Sequence, residues 1–479
     1  MKKNAILNIF YQIIILAIPL ILSPYLSRVL GASGIGEYTT TFTIVTYFCF
    51  AAMLGINNYG NRGLAKENDL AKKSEFFWEL IIFRAVCTTF LLIIYFVIFI
   101  INYSTMAIVQ SILLFGAYFD LNWAYYGLEK IKPLVFKNLI IKIITMICIF
   151  IFVRNENDLL IYTLIMAISP VVGELLLWPS IIKEFGFCKV KFRNIFVHLK
   201  PMFILFIPIF GLTAYRMIDK TMIGLILGNV ECGFYESADK IVNLTVQILA
   251  ALGTVLMPRI SNLKSQNRVT EAKSIVKVCL ISNIVLCCAM VAGILAISDD
   301  FVIVFFGEEF EPTSNILKAL SLSLIFSSLS HLIRCGILIP FGMDKQYVWT
   351  ILIGAFADIL LNALFIFIFR TTLSVAIATV ISEVIVFILE FLVTRKIFDY
   401  KSIVLPFALS ICAACMMFAC LFCFSFFISI SNLILKILIE ICIGIFSYFI
   451  FCFLLFISFD KKEIIFLKLM LTKRKGDDL

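Results

Sequence analysis

Fourteen long apolar runs constrain this chain more than any other feature of its sequence. Each is about 20 residues long, the length an α-helix needs to cross the hydrocarbon core of a bilayer. The runs are residues 9–30, 38–58, 80–101, 107–127, 136–153, 159–182, 202–227, 238–258, 278–297, 314–339, 348–369, 373–394, 403–426 and 434–456. They lack the alternation of apolar and polar residues that is typical of membrane β-strands. We therefore expect an all-α polytopic membrane protein with fourteen transmembrane helices.

Composition and loop charges agree with a membrane location. Only 15% of the residues are charged, whereas soluble domains have about 25%. The first run is too long for a signal-peptide core, so we interpret it as an anchor. Most loop Lys and Arg residues lie on one side, and only Arg28, Arg154 and Arg370 lie on the other. The positive-inside rule then predicts a multi-pass protein of the cytoplasmic (inner or plasma) membrane with both termini in the cytoplasm.

The formal charge of +9 follows from this topology and does not indicate a nucleic-acid partner. The basic C-terminal tail is expected to lie against anionic membrane lipids.

A short glycine-containing segment occurs twice, as "VLGASGIGEY" (Val29–Tyr38) and "ILGNVECGFY" (Ile226–Tyr235). An offset of 197 residues superposes Leu30 on Leu227, Gly31 on Gly228, Gly36 on Gly233, Tyr38 on Tyr235 and Arg62 on Arg259. We infer an internal duplication in which helices 1–6 and 7–12 form two pseudo-symmetric six-helix lobes. Since six is even, both lobes enter the membrane in the same direction. The glycines permit the left-handed or tight turns that a short outer connection needs.

The duplication predicts four parts of the chain. Residues 1–182 form the N-terminal lobe, 183–201 a basic cytoplasmic linker, and 202–394 the C-terminal lobe. Residues 395–479 add two further helices and a basic cytoplasmic tail.

The loops argue against an enzyme. The longest outer segment, Ser298–Thr313, has sixteen residues, which leaves no room for a soluble catalytic domain. No glycine-rich phosphate loop or HExxH motif is present, and two histidines are too few for a metal centre. We therefore predict no catalytic residues, no metal and no cofactor, apart from a coupling H⁺ or Na⁺.

Basic residues deep in the apolar runs are the clearest indication of function, since a charge at the bilayer centre usually faces a cavity or a partner. Arg216, Asp219 and Lys220 in helix 7 share one helix face and leave a net positive charge. We interpret this cluster as part of a cationic translocation cavity; an internal ion pair that holds helices together is the alternative. The other basic residues assigned to the cavity are Arg28, Arg62, Arg84, Lys142, Lys240 and Arg259. For those near a membrane surface, snorkelling alone is an alternative explanation.

The acids Asp120, Glu174, Asp358 and Glu383 also lie within apolar runs. A carboxyl in such surroundings can exchange between its neutral and ionised forms near physiological pH. Each is therefore a candidate ion-coupling residue. A neutral, hydrogen-bonded structural acid is the alternative for each.

Four segments resemble a known family. They are "PLILSPYLSRVLGASGIGEY", "AAMLGINNYGNRGLAK", "FDLNWAYYGLEKIKPLVFKNLIIKI" and "IDKTMIGLILGNVECGFYESADKIVN". Together they resemble the polysaccharide flippase family of the O-antigen type, whose superfamily also contains the multidrug and toxin extrusion antiporters and the lipid II flippases. The most specific parts are Asp120-x-Asn122-Trp123, the following Gly127–Lys130 and the Gly-Phe-Tyr segment after helix 7. The two extra helices depart from the twelve-helix members of the superfamily.

This resemblance implies two six-helix lobes around a central cavity that alternates between inward and outward states. The implied substrate is an undecaprenyl-pyrophosphate-linked oligosaccharide, moved from the inner to the outer leaflet for surface polysaccharide synthesis. The implied partners are membrane lipids, a polysaccharide polymerase and its chain-length machinery. An ion gradient would drive transport, and the ion could be H⁺ or Na⁺.

Two other functions stay open. A cation-coupled multidrug antiporter would place acids in the cavity with little cationic excess, which Arg216 and Lys220 argue against. A polytopic polysaccharide polymerase or glycosyltransferase would need a sizeable outer catalytic loop or an acidic metal-binding pair, and the sequence offers neither.

Overall fold

The structure is a computed structural model that describes residues 2–101, 104–188, 190, 195–428 and 430–459. Within these ranges, the side chains of residues 2–16, 100–101, 207–209, 212–214, 216, 252, 254–255 and 459 lie outside the description. The described residues form helices and turns and contain no β-strand, which confirms the predicted all-α class. The chain divides into two compact units, Met1–Glu236 and Ser237–Leu479.

The first unit contains nine helices and the start of a tenth among its described residues. They are α1 (Lys2–Met53), α2 (Ile56–Lys66), α3 (Leu70–Ile101), α4 (Thr105–Gly116), α5 (Asn122–Gly127), α6 (Ile131–Phe152), α7 (Leu159–Leu175), α8 (Trp178–Phe185), α9 (Leu199–Ile226) and the first turns of α10 (Asn229–Ser265).

The second unit contains the rest of α10 and a further set of long helices. These are α11 (Val269–Phe306), α12 (Thr313–Ser321), α13 (Ser323–Ile333), a π-helical turn (Arg334–Leu338), α14 (Asp344–Phe369), α15 (Thr372–Thr394), α16 (Lys401–Phe427) and α17 (Leu433–Phe459). The last two helices pack against each other and against α11.

Eleven helical segments of the described residues are long and apolar enough to cross a membrane. One of them, Ala17–Lys66, holds two of the predicted spans because Gly31 divides α1 into two helical parts. Two shorter apolar helices, Thr105–Gly116 and Phe196–Phe206, overlap further predicted spans. The structure thus confirms a polytopic helical membrane protein, while the count of fourteen spans stays a prediction.

The two glycines that the repeat superposes share an unusual backbone conformation. Gly31 has φ 66° and separates the two parts of α1, and Gly228 has φ 107° and separates α9 from α10. Residues with a Cβ rarely adopt positive φ, so glycine is required at both turns. The predicted role of these glycines in tight connections is confirmed.

Among the described residues, four predicted spans contain a break in the α-helix: 38–58, 107–127, 159–182 and 314–339. α4 ends at Gly116, and α5 begins only at Asn122, within the span 107–127. α13 passes into its π-helical turn at Arg334, within the span 314–339. The broken spans 107–127 and 314–339 are helices 4 and 10, which correspond under the predicted duplication. Interrupted helices in corresponding positions of two halves are typical of transporter binding sites.

Stacked aromatic rings fix the position of α5. The Phe77 ring lies 5.6 Å from that of Trp123 and 4.9 Å from that of Phe185. These rings form the buried core that joins α3, α5 and α8. The segment between α4 and α5 is therefore held between packed helices.

The predicted lobe boundaries stay predictions. The border between the compact units lies at Glu236, within α10, because α9 packs closely against α1. The compact units are defined by which helices pack together, whereas the predicted lobes are defined by the sequence repeat.

Candidate functional site

A polar network in the first unit surrounds the carboxylate of Glu174. Lys137 Nζ donates to Glu174 Oε1 at 2.6 Å, and Asn122 Nδ2 donates to the same oxygen at 3.0 Å. The backbone N–H of Leu121 donates to Glu174 Oε2 at 3.2 Å. Asn122 Nδ2 also donates to Asp120 Oδ2 at 2.7 Å. Two of the four acids predicted from the sequence therefore meet at one site, bridged by an amide.

Arg84 satisfies the backbone where α4 is interrupted. Its side chain is fully buried. It donates through Nη2 to Tyr118 O at 2.9 Å and through Nη1 to Asp120 O, and Nη1 lies 4.0 Å from Asp120 Oδ1. Trp178 Nε1 donates to Phe119 O at 3.0 Å. Side chains thus bind three successive carbonyls that have no helical partner, as non-helical backbone within a membrane requires.

A cavity of about 170 Å³ borders this network. Its two acids are Asp120 and Glu174, and its other lining residues are Cys49, Met53, Leu113, Gly116, Ala117, Pro170 and Val171. The cavity is large enough to hold several water molecules. We call Arg84, Asp120, Asn122, Lys137 and Glu174 the Glu174 network.

The helix-7 cluster lies near the end of α9 and contacts the start of α10. Tyr235 OH donates to Asp219 Oδ2 at 2.7 Å. Lys220 Nζ forms an ion pair with Glu236 Oε2 at 2.6 Å. The side chain of Arg216 lies outside the described residues. The Glu236 carboxylate balances the net positive charge of Arg216, Asp219 and Lys220. The cationic cavity stays a prediction, and its Lys220 is paired with Glu236 in this structure.

The duplicated glycines form a close helix crossing. A Cβ on Gly36 would overlap the carbonyl of Asn229, and a Cβ on Gly233 would overlap the carbonyl of Ala32. A Cβ on Gly224 would overlap the side chain of Thr40. Small residues at such a crossing let the backbones approach closely, which is a common means of helix association in membranes.

Hydroxyl groups extend this contact between α1 and α9. Thr221 Oγ1 donates to Thr43 Oγ1 at 3.0 Å and lies 3.1 Å from Tyr47 OH. The N-terminal end of α9 has its own polar contact. His198 Nδ1 lies 2.9 Å from Tyr59 OH, and His198 Nε2 lies 2.9 Å from Glu79 Oε2. Side chains near both ends of α9 therefore contact the first three helices.

The second unit contains a buried acid that two neighbours bind. Ser382 Oγ donates to Asp358 Oδ1 at 2.7 Å, and Asn362 Nδ2 donates to Asp358 Oδ2 at 3.2 Å. All three side chains are fully buried between α14 and α15. The arrangement satisfies a carboxyl group that would otherwise be costly in a membrane helix.

A further ion pair and an apolar cavity lie beside the π-helical turn. Arg334 Nε is 3.0 Å from Glu390 Oε1, and Glu390 is fully buried. A cavity of about 400 Å³ lies between α11, α13, α15 and α16, with apolar walls that include Ile284, Leu329 and Phe387.

The remaining predicted residues are dispersed. Arg28 donates through Nη1 to Pro24 O at 2.8 Å. Arg62, Lys142 and Arg259 are exposed, and Lys240 and Glu383 are half-buried. Arg259 lines a polar surface cavity of about 560 Å³. The structure thus brings together Arg84, Asp120 and Glu174 in one site, and Asp219 and Lys220 in another.

Sequence analysis did not single out Lys137, Glu236 and Glu390. Lys137 lies in the second turn of α6 and is the second residue of the predicted span 136–153, next to a basic loop. Glu236 lies among other charged residues, whereas Glu390 lies inside the predicted span 373–394. The motif Asp120-x-Asn122-Trp123 did point to this site, since its acid and its amide both belong to the Glu174 network.

Comparison with known proteins identifies the family and the fold of this chain. The family model "Polysaccharide biosynthesis protein" matches residues 1–264, and the MatE model matches residues 205–364. The protein named "Putative O-antigen transporter" of Shigella dysenteriae is 23% identical over 366 residues, which are 75% of this chain and 91% of that protein. The protein of the same name from Escherichia coli (strain K12) is 22% identical over 357 residues, which are 72% of this chain and 85% of that protein.

Solved structures show the same fold. The lipid II flippase MurJ in its inward closed conformation has a TM-score of 0.79 and 17% sequence identity, and the match covers 96% of this chain and 99% of that one. An inward-facing multidrug resistance MATE family transporter has a TM-score of 0.59 and 14% identity, over 81% of this chain and 94% of that one. These likenesses confirm the multidrug-antiporter-like fold. Because one family model matches more than half of its residues, the chain belongs to the polysaccharide biosynthesis protein family.

Proposed function

We propose that this protein is a flippase for lipid-linked oligosaccharide, and that its cargo is an undecaprenyl-pyrophosphate-linked repeat unit of a surface polysaccharide. The observation that carries the proposal is the similarity to proteins named O-antigen transporters over three quarters of the chain. The fold shared with a lipid II flippase supports it. The protein transports its cargo and catalyses no covalent reaction.

The charges of the helix-7 cluster fit such a cargo. A pyrophosphate is anionic, and charge-assisted hydrogen bonds from Lys or Arg offset the loss of its water shell. Lys220 is paired with Glu236 in this structure. Cargo binding would therefore exchange the Glu236 carboxylate for a phosphate oxygen, while Asp219 stays bound to Tyr235.

Transport by alternating access would need α9 to change its contacts. The glycine crossing holds its C-terminal end, and the His198 contacts lie at its N-terminal end. Under the predicted topology these ends face opposite sides of the membrane. Release of one set of contacts at a time would open the path to one side only.

An ion gradient is the proposed driving force, with H⁺ or Na⁺ bound by one of the buried acids. Asp120, Glu174 and Asp358 lie in hydrogen-bonded sites that could respond to ion binding. A polysaccharide polymerase and its chain-length machinery would take the cargo on the outer face of the cytoplasmic membrane.

A second candidate is a cation-coupled multidrug antiporter. The match of residues 205–364 to the MatE family model favours it, as does the balance of charge that Glu236 provides near α9.

Reconstitution into liposomes separates the two functions. Purified protein should move a fluorescent undecaprenyl-pyrophosphate oligosaccharide between leaflets, faster with an imposed proton or sodium gradient. The readout is the fraction of label that a membrane-impermeant quencher reaches. Gradient-driven efflux of a cationic dye, with no movement of the lipid, would contradict the flippase function and support the antiporter function.

A further inference from the structure

The Glu174 network is built so that one added proton changes its hydrogen bonds. Arg84 and Lys137 supply two positive charges, and Asp120 and Glu174 supply two negative charges. The formal charge of the network is therefore zero. A neutral network can remain within a bilayer, whereas a network with one extra charge is under strong pressure to rearrange.

Three groups bind the Glu174 carboxylate, and all three are hydrogen-bond donors. Oε1 accepts from Lys137 Nζ and Asn122 Nδ2, and Oε2 accepts from the N–H of Leu121. A protonated carboxyl carries an O–H donor of its own. If the proton binds Oε1, its O–H group faces the N–H donors of Lys137 and Asn122. Lys137 must then move away, or the Asn122 amide must rotate to present its oxygen.

Either response changes the interrupted part of α4. Asn122 is the first residue of α5, and Leu121 precedes it. Arg84 and Trp178 bind the carbonyls of the preceding three residues. A change at Asn122 is therefore transmitted to backbone whose carbonyls are bound by side chains and not by helical N–H groups.

The neighbouring cavity gives water access to this carboxylate. Asp120 and Glu174 are its two acids, and Cys49 is its other titratable residue. The charged groups that face Glu174 are Lys137 from α6, Asp120 from the interruption and Arg84 from α3. Sodium fits less well, because it would have to replace the Lys137 ammonium, which lies 2.6 Å from Glu174 and carries the same charge.

We propose that Glu174 is a proton-binding site, and that its ion pair with Lys137 links protonation to the conformation of the interrupted helix. One O–H bond forms on Glu174, the proton comes from water in the cavity, Lys137 keeps its own proton, and the network gains one positive charge. Only the use of this proton to drive transport depends on the proposed function.

Tryptophan fluorescence tests the site without transport. Of the four tryptophans, Trp123 adjoins Asn122, Trp178 binds Phe119 O, and Trp78 lies 6.3 Å from the Trp178 ring. Replacing the exposed Trp349 by Phe leaves these three as reporters. In nanodiscs, we expect a sigmoidal shift of emission with pH that Glu174→Gln abolishes and Glu174→Asp moves to another midpoint.

Glu184→Gln is the matched control. Glu184 pairs with Lys130 at 2.7 Å, between α8 and the residue before α6, and both side chains are partly exposed. This variant should titrate like the parent. A titration that persists in Glu174→Gln, no titration in the parent, or an equal shift on adding Na⁺ at fixed pH would each overturn the proposal. A titration without lipid movement would leave the proton site standing and count against the flippase.

Discussion

Gly36 and Gly233 occupy equivalent positions in the two repeats and lie against each other, with the site of a Gly36 Cβ only 2.8 Å from the Gly233 nitrogen. The repeated segment thus supplies both sides of one helix crossing. No larger residue fits at either position without moving a backbone.

We expect Gly36→Val and Gly233→Val to block lipid movement and to destabilise the protein. Overpacking of a tight contact costs about 1–3 kcal/mol. Thermal unfolding in detergent and the liposome assay measure the two effects. Gly293→Ala is the control, since its Cβ would meet only Met417 Cε at 3.6 Å. Normal transport by either valine variant would show that the crossing need not be tight.

Exchange of the charges of Lys220 and Glu236 separates a binding role from a structural one. Lys220→Ala should abolish lipid movement while the protein stays in the membrane. The double variant Lys220→Glu, Glu236→Lys keeps an ion pair between these two positions with the charges reversed. It should recover thermal stability but not transport, because a glutamate would repel the pyrophosphate from α9. Full transport by the double variant would make the pair purely structural.

Removal of Arg84 should destabilise the first unit strongly. Arg84→Met leaves two backbone carbonyls and the Asp120 carboxylate without their cationic partner. Breaking a buried charge pair in this way costs about 3–5 kcal/mol. Thermal unfolding followed by tryptophan emission measures the loss. Lys130→Gln, which removes a partly exposed pair, should change stability by about 1 kcal/mol at most.

We expect Asp358→Asn to leave the stability of the protein nearly unchanged and Asp358→Leu to lower it. Asp358→Leu removes the acceptor of the hydrogen bonds from Ser382 and Asn362, at about 0.5–1.5 kcal/mol for each bond, while the Ser382 hydroxyl keeps Thr379 O as an acceptor. Asp358→Asn keeps an oxygen for Ser382 and should unfold at nearly the parent temperature. If both variants unfold together, hydrogen bonding to Asp358 does not stabilise α14 against α15.

The sequence predicts much of the fold, because hydrophobic length and glycine requirements are local properties. Every predicted span overlaps a helix, and Gly31 and Gly228 both adopt positive φ. The site is less predictable. Glu174 pairs with Lys137, which is 37 residues away on another helix, and Lys220 pairs with Glu236 across the Gly228 turn. Such pairings depend on which helices pack together, which hydropathy does not encode.

The interruption of α4 has a consequence for biogenesis. Arg84 precedes Tyr118 in the chain, whereas Glu174 and Trp178, which bind Leu121 and Phe119, follow more than fifty residues later. The ribosome therefore delivers this span to the membrane before the groups that complete its backbone hydrogen bonds exist. Its final shape must await the synthesis of α7 and α8, so insertion and folding of the fourth span are separate events in time.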